Sequence, residues 1–330
     1  MEAVSVWYGA KLVEMEDVAA DARRFVWETD WAGGRFDPGS HVKLSLIVDG
    51  RVEQRSFSCL PGTGADGRIV IGVRLRPDSR GGSRYLFGLK PGARISITSP
   101  MNHFPLDWKA EAHVLLAGGI GITPIMGMAY ALQQRGLPFQ LHYAGRDDAN
   151  LAFGAELTER LGPSLTCYRD AMGEKIDLKG IIDALPPLGQ LYLCGPIGML
   201  EAAKRLWADA GRPLEALRFE TFGDSGRHPT EAFDVEVADY GMRVHVPAGR
   251  SMLDALEEAG IELMSDCRRG ECGLCAVTVA AHDRPIDHRD VFLSEEEKAE
   301  GHRMCACVSR AAGGVVTIDT GLRLAREEAA

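Results

Sequence analysis

Residues 267–275 read CRRGECGLC and put three cysteines into nine positions. Cys267, Cys272 and Cys275 are spaced C-x4-C-x2-C, which suits a loop that wraps a bound group with its thiolates pointing inward and its backbone amides free to hydrogen-bond. Gly270 and Gly273 fit such a loop, because a residue without a side chain takes positive φ and lets the backbone approach closely. A centre of this kind needs a fourth sulfur, and the chain offers only Cys59, Cys167, Cys194, Cys305 and Cys307.

The chain has 330 residues, 45% of them hydrophobic, enough to bury the cores of two or three domains. No apolar run approaches the ~20 residues that cross a bilayer, and the first 25 residues carry acidic side chains where a secretion signal is apolar. A cytoplasmic protein without membrane contact is expected. In a reducing compartment, crowded cysteines are metal ligands or reactive thiols rather than disulfides. A formal charge of −10 argues against a nucleic-acid partner and for solubility or a basic protein partner.

Three patterns follow one another without an internal repeat. Up to Leu106, short apolar runs such as HVKLSLIVDGRV, with its DG turn, RIVIGVRL and ARISITSP predict an antiparallel β-barrel or sandwich. From His113 strands and helices alternate: HVLLAGG precedes a helix whose Ile125, Met128, Ala129 and Leu132 share one face, and QLYLCG precedes IGMLEAAKRLWADAG. This order predicts a parallel sheet wrapped by helices. GDSGRHPTEA, residues 223–232, reads as a linker. Beyond it, a hairpin around Tyr240-Gly241, a helix from Ser251 with Asp254 as capping-box partner, and the strands AVTV and VVTIDT predict a small mixed domain with its cysteines in a loop.

The cysteine spacing is the plant-type ferredoxin arrangement for a 2Fe-2S cluster with one distant fourth ligand. A four-cysteine zinc site, the alternative, usually presents two C-x2-C knuckles, and only one exists here. AGGIGITPI, residues 117–125, fails the G-x-G-x-x-G fingerprint but keeps its mechanics. A strand ends in Gly118, Gly119 and Gly121, and a helix opens with Thr123 as expected N-cap and Pro124 in its first turn, offering free amides to a pyrophosphate. LCGPIGM, with Cys194, Gly195 and Pro196, repeats this at a later strand end. In the barrel block, RSFS (Arg55, Ser56, Phe57, Ser58) and SRGGS, with Gly81, Gly82 and Ser83, suit a phosphate and a ring or simply a strand edge and a loop. Cys59, Cys167 and Cys194 read equally well as small buried hydrophobes.

Taken in order, RSFS, GGS, AGGIGITP, LCGP, RFETFG, C-x4-C-x2-C and CVSRA resemble the phthalate dioxygenase reductase type, the group that includes vanillate demethylase reductases. The resemblance covers essentially the whole chain. It implies an FMN-binding β-barrel over residues 1–107, an NAD-binding α/β domain over 108–224 and a plant-type β-grasp ferredoxin domain over 225–330. Arg55 and Ser56 with Gly81, Gly82 and Ser83 would then hold the FMN phosphate and tail, Ser58 would sit near the reactive ring nitrogen, and Arg74 is a further flavin candidate. Phe222 would lie against the flavin ring, and Gly119, Thr123 and Pro124 with Cys194, Gly195 and Pro196 would form the nucleotide cleft. The family often has tyrosine where this chain has Phe57, which removes a hydroxyl from the ring contacts.

The implied chemistry is electron splitting. NADH gives up two electrons as a hydride, a 2Fe-2S cluster takes one at a time, and a flavin can handle either. The implied activity is that of an NADH-dependent reductase, a monomer, feeding single electrons to a Rieske-type terminal oxygenase. A cytochrome P450 or diiron hydroxylase is an alternative acceptor, and a redox sensor or carrier without steady turnover is an alternative role. Asp147 and Asp148 in AGRDDAN would repel the phosphate of NADPH, although Arg146 would attract it. Cys305 and Cys307 are separated from Cys275 by 29 and 31 residues, and the shorter spacing is the one plant ferredoxins usually show; but the start of CVSRA matches the cluster ligand of the resembling reductases, and a longer loop around AAHDRPIDHRD accounts for the added length, so Cys307 is expected as the fourth ligand.

Overall fold

A computed structural model describes residues 6–32, 34, 36–48, 50–76, 81–222 and 228–321. Asp49 of the expected DG turn, Arg80 of SRGGS and residues 223–227 of the expected linker lie outside the described residues. The chain divides into two compact units, Met1–Glu220 and Thr221–Ala330.

The first unit opens with β1 (Trp7–Ala19), β2 (Ala22–Thr29), β3 (Ser40–Val48), β4 (Arg51–Ser58), β5 (Arg68–Arg74), the short helix α1 (Gly82–Phe87), β6 (Arg94–Thr98) and β7 (Met101–Asn102). The strands form one sheet in the order β4-β3-β6-β1-β2-β5, with β7 beside β3. A bridge from Cys59 to Ile71 joins the two outer strands and closes the barrel. Alternating inward residues supply a core that includes Leu12, Phe25, Trp27, Leu44 and Ile71, all without solvent exposure.

The same unit continues through β8 (His113–Gly118), α2 (Ile122–Gln134), β9 (Phe139–Gly145), α3 (Gly154–Leu161), β10 (Leu165–Arg169), α4 (Leu178–Ala184), β11 (Gln190–Cys194), α5 (Ile197–Asp209) and β12 (Leu217–Glu220). All its strand pairs are parallel, in the order β10-β9-β8-β11-β12. The chain runs outward from β8 to β10 and then crosses back to β11, so the order reverses beside β8, where open α/β sheets bind ligands. Ile125, Met128, Ala129 and Leu132 are fully buried as the helical period requires, and each larger side chain contributes about 1.5–3 kcal/mol. Their cluster includes Val26, Val70 and Phe104, so barrel and parallel sheet share one hydrophobic core.

The second unit contains β13 (Phe233–Val237), β14 (Met242–Val246), α6 (Met252–Glu258), β15 (Ala276–His282), β16 (Ile286–Asp287), α7 (Glu295–Glu300), β17 (Arg303–Cys305), β18 (Arg310–Ala311) and β19 (Val315–Asp319). The hairpin at Tyr240-Gly241 is present, with Gly241 at φ 60°, and Ser251 and Asp254 cap α6 reciprocally. The main sheet runs β14-β13-β19-β15-β17, with β13 and β19 parallel, and the helix α6 packs beside it. Val235, Leu253, Leu256, Met304 and Ile318 are among its fully buried residues.

Candidate functional site

The two glycine loops expected to bind nucleotide are brought together. The strands β8 and β11 are neighbours, with Ala117 opposite Cys194, and each ends in its loop at the same edge. A Cβ on Gly121 would stand 2.2 Å from the Cys194 carbonyl oxygen, and one on Gly118 would stand 2.5 Å from Pro196 Cδ. The absence of side chains is what lets the loops touch. Gly119 takes φ 55°, turning the chain into α2. Thr123 is not the cap: Gly121 occupies that position, and Thr123 lies inside the helix, donating its hydroxyl to Ile120 O at 3.0 Å. The press of the Cys194 carbonyl leaves room only for glycine, and this long-range contact displaces the cap that local sequence favours. Pro124 is in the first turn as expected.

The barrel motifs are partly joined. Arg55 packs along Gly82, whose Cβ would meet Arg55 Cγ at 3.0 Å, and Gly81 takes φ 84°, where a Cβ would stand 2.3 Å from Val48 Cγ1. Ser83 Oγ accepts from the Arg76 amide at 3.3 Å. The pleat of β4 leaves Ser56 exposed on the face opposite half-buried Arg55 and Phe57. The Arg74 guanidinium turns toward the nucleotide loops, bonding Asp21 at 2.6 Å and Asn150 at 3.1 Å, and its Nη1 stands 3.0 Å from where a Gly119 Cβ would be.

Ser58 reveals a partner that the motifs had not singled out. Glu220 ends β12 opposite Cys194, is 1% exposed, and its Oε2 lies 3.4 Å from Ser58 Oγ, itself in a residue 4% exposed. Ser58, Cys194 and Glu220 thus collect at the joint of barrel and parallel sheet. The available signal was a glutamate closing an apolar strand in RFETFG, a motif read for its phenylalanine. Burial pushes the neighbouring Cys59 thiol well up, which keeps it an unreactive core residue. An open hollow of about 610 Å³ lies farther along this unit, lined by Asp17, Arg23, Leu75, Phe87 and Asp148.

In the second unit, Cys267 Sγ accepts from the amides of Arg269, Glu271 and Cys272, each at 3.4 Å. Gly270 and Gly273 take φ 77° and 74°, and a Cβ would collide with Asp290 and Val308 at the first and with the Phe292 ring at the second. The loop is therefore a tight cradle of inward amides. Arg268 pairs with Asp254 and Glu257, and Arg269 with Glu271 at 3.2 Å, so its cations are locally balanced. Thr221 donates its amide to Glu271 Oε1 at 2.9 Å and its hydroxyl to Arg269 O at 3.3 Å, and Phe222 follows, 37% exposed.

The segment that carries Cys305 and Cys307 lies against Cys275: Cys305 pairs with Ala276 between β17 and β15, and Ala306 N bonds Cys275 O at 3.0 Å. After β17 the segment turns, with Ser309 N bonding back to Cys305 O at 2.9 Å. Among the described residues, no three His, Cys, Asp or Glu side chains converge as one tetrahedral ion requires. Cys275, Cys305 and Cys307 are all buried beside the loop that turns its amides onto Cys267. That distribution and the inward amides fit a binuclear cluster.

Barrel, parallel sheet with glycine loops, and three-cysteine loop together define an oxidoreductase that binds a flavin and a 2Fe-2S cluster and transfers electrons. The 2Fe-2S iron-sulfur cluster binding domain family matches residues 235–312, and the oxidoreductase FAD-binding domain family matches residues 9–105. The chain is 36% identical over 317 residues to the phenoxybenzoate dioxygenase subunit beta of Ectopseudomonas oleovorans, covering 96% of this chain and 95% of that one. It is 36% identical to the heme-dependent oxidative N-demethylase beta subunit of Ectopseudomonas mendocina, covering 86% and 89%. The solved structure of phthalate dioxygenase reductase, described as modular for electron transfer from pyridine nucleotides to [2Fe-2S], superposes with a TM-score of 0.77 at 28% identity, covering 95% of this chain and 98% of that one. The chain belongs to this family of flavin and iron-sulfur reductases of oxygenase systems.

Proposed function

We propose that this chain takes a hydride from NADH onto FMN and passes single electrons through its 2Fe-2S cluster to a Rieske-type terminal oxygenase. The observation that carries the reading is the buried group of Ser58, Cys194 and Glu220 at the ends of β4, β11 and β12, beside the two glycine loops. A flavin, when bound, accepts two electrons and releases them singly. Around it, Ser58 offers a hydroxyl held by Glu220, Arg55 with Gly81, Gly82 and Ser83 supplies the phosphate end, and Gly118, Gly119, Gly121, Gly195 and Pro196 let a dinucleotide approach the backbone. Cys267, Cys272, Cys275 and Cys307 hold the cluster.

The three-part division at residues 107 and 224 follows the change of sheet and the expected linker. Eight free cysteines suit the cytoplasm, and among the described residues no helix is long and apolar enough to cross a membrane. FMN rests on the family resemblance, and chromatography of the flavin released by acid distinguishes it from FAD. Anaerobic addition of NADH to the holoenzyme should bleach the flavin band first and then the cluster band. Bleaching of neither sinks the reading. Turnover with the purified product of a neighbouring oxygenase gene tests the partner. A haem acceptor is the second reading, favoured by the likeness to the heme-dependent N-demethylase subunit.

A further inference from the structure

We infer that Arg169, held by Asp148 and Glu174, is the residue through which this chain excludes a nucleotide carrying a 2′-phosphate. The inference rests on the reading that the loops after β8 and β11 take a nicotinamide dinucleotide. In that fold the loop after the next strand reads the ribose of the adenosine half: a carboxylate there binds its hydroxyls, whereas a nearby arginine accommodates a 2′-phosphate. Here that strand is β9, and Gly145 at its end pairs with Arg169 at the end of β10. Arg169 therefore stands at the ribose-reading edge, where a phosphate-binding arginine is expected.

Its guanidinium is already engaged. Arg169 Nε donates to Asp148 Oδ1 at 2.7 Å, and its Nη1 lies 3.4 Å from Glu174 Oε2, which also accepts the Arg169 amide at 2.8 Å. The Ala171 amide bonds Arg146 O at 2.8 Å, stitching the turn after β10 to the loop after β9. Asp147 is spent locally, accepting from Asn150 N at 3.1 Å and Nδ2 at 2.7 Å. The simple repulsion expected of the two aspartates is thus divided: Asp147 caps a turn, and Asp148 neutralises the cation that would welcome a phosphate.

With Asp148 74% exposed and Arg169 30% exposed, ion pairs like these add little to stability. Their effect falls on selectivity. An arginine fork binds phosphate bidentately, and a phosphate arriving here must displace two carboxylates or approach them at contact distance. The unphosphorylated ribose of NADH asks for neither.

The test compares wild type, D148N/E174Q and D148N/E174Q/R169Q as intact holoenzymes. Two readouts are kcat/KM for NADH and NADPH with ferricyanide as acceptor, and calorimetric binding of 2′,5′-ADP against 5′-AMP. Wild type should prefer NADH and 5′-AMP. The double variant should gain at least about tenfold for NADPH and for 2′,5′-ADP, the factor of one charge-assisted contact. Adding R169Q should erase that gain. No gain in the double variant, or a gain that survives R169Q, overturns the inference while leaving the NADH reading intact. A wild type that prefers NADPH overturns that reading itself. The NADH rate of each preparation reports that its fold is sound.

Discussion

Ser58 Oγ lies 3.4 Å from Glu220 Oε2, joining a barrel strand to the last strand of the parallel sheet at a site closed to solvent. A buried carboxylate is costly unless it is hydrogen-bonded, so its placement beside the strand ends that carry the nucleotide loops points to positioning. Ser58→Ala should slow reduction of the flavin by NADH about tenfold, less than the loss of a full oxyanion-hole donor because the contact is long. Glu220→Gln should slow it similarly. Stopped-flow absorbance under anaerobic single turnover measures both, and wild-type rates in the two variants would reduce the pair to a packing contact.

Gly121 illustrates a constraint of shape alone. Its φ is −59°, an ordinary helical value, yet an added Cβ would lie 2.2 Å from the Cys194 carbonyl oxygen. Gly121→Ala should force the loops apart, lowering stability by about 1–3 kcal/mol, as overpacking does. Thermal melting should show the drop in the first unit, and the KM for NADH should rise while flavin remains bound.

The pattern of the chain made the architecture legible where a stretch keeps one period: alternation through β3, the 3.6 period through α2, and turn chemistry at Tyr240-Gly241. Local chemistry likewise announced the capping box of Ser251 and Asp254. The short helix α1, inside a stretch read as a glycine loop, carries too little periodicity to stand out. Long-range contacts account for the other differences. Nothing near Thr123 reveals that the Cys194 carbonyl presses on Gly121, and strand periodicity cannot tell that Glu220 faces Ser58. Arg74 is a flavin candidate by resemblance, from the strand that precedes the GGS loop. Its reach across to Asn150 arises only from the shared core of barrel and sheet.

The fourth cluster ligand is where geometry bears most on the sequence argument. Cys305 and Cys307 are both buried on the segment that packs against Cys275, and the match of CVSRA to the ligand-bearing stretch of the resembling reductases favours Cys307. The added length before them carries β16, paired with β18, so the longer loop has a structure of its own. Cys307→Ser should lose the cluster's visible absorption and transfer to cytochrome c while NADH still reduces the flavin. Cys305→Ser should keep a normal cluster by absorption and electron paramagnetic resonance. The opposite pattern would assign the ligand to Cys305.

His142 on β9 sets an acid limit on the first unit. Its Nδ1 lies 2.9 Å from the Tyr168 hydroxyl, and burial holds its imidazole below the usual 6.5. With the folded pKa depressed, the unfolded chain takes the proton first as pH falls. Its contribution to stability is complete above about pH 6.5 and declines toward the lower folded value. Melting temperatures between pH 5 and 7.5 should fall more steeply in wild type than in His142→Asn, and parallel curves would remove His142 from the account.

Charge should govern how the acceptor meets the second unit. From Arg227 to Ala330 the sequence carries 12 Lys and Arg against 20 Asp and Glu, a formal −8 out of the chain's −10. Much of this is placed near the cradle: α7 opens with Glu295, Glu296 and Glu297, just after Phe292, whose ring covers Gly273. An asymmetric surface of this kind raises the encounter rate with a basic partner, and salt screens it over roughly 8 Å at physiological strength. Transfer to the partner oxygenase should therefore slow as ionic strength rises, whereas reduction of the flavin by NADH, measured in the same buffers, should change far less. Glu295→Lys with Glu296→Lys should weaken both the rate at low salt and its salt dependence. A rate to the partner that ignores ionic strength would leave the acidic surface with solubility as its only role.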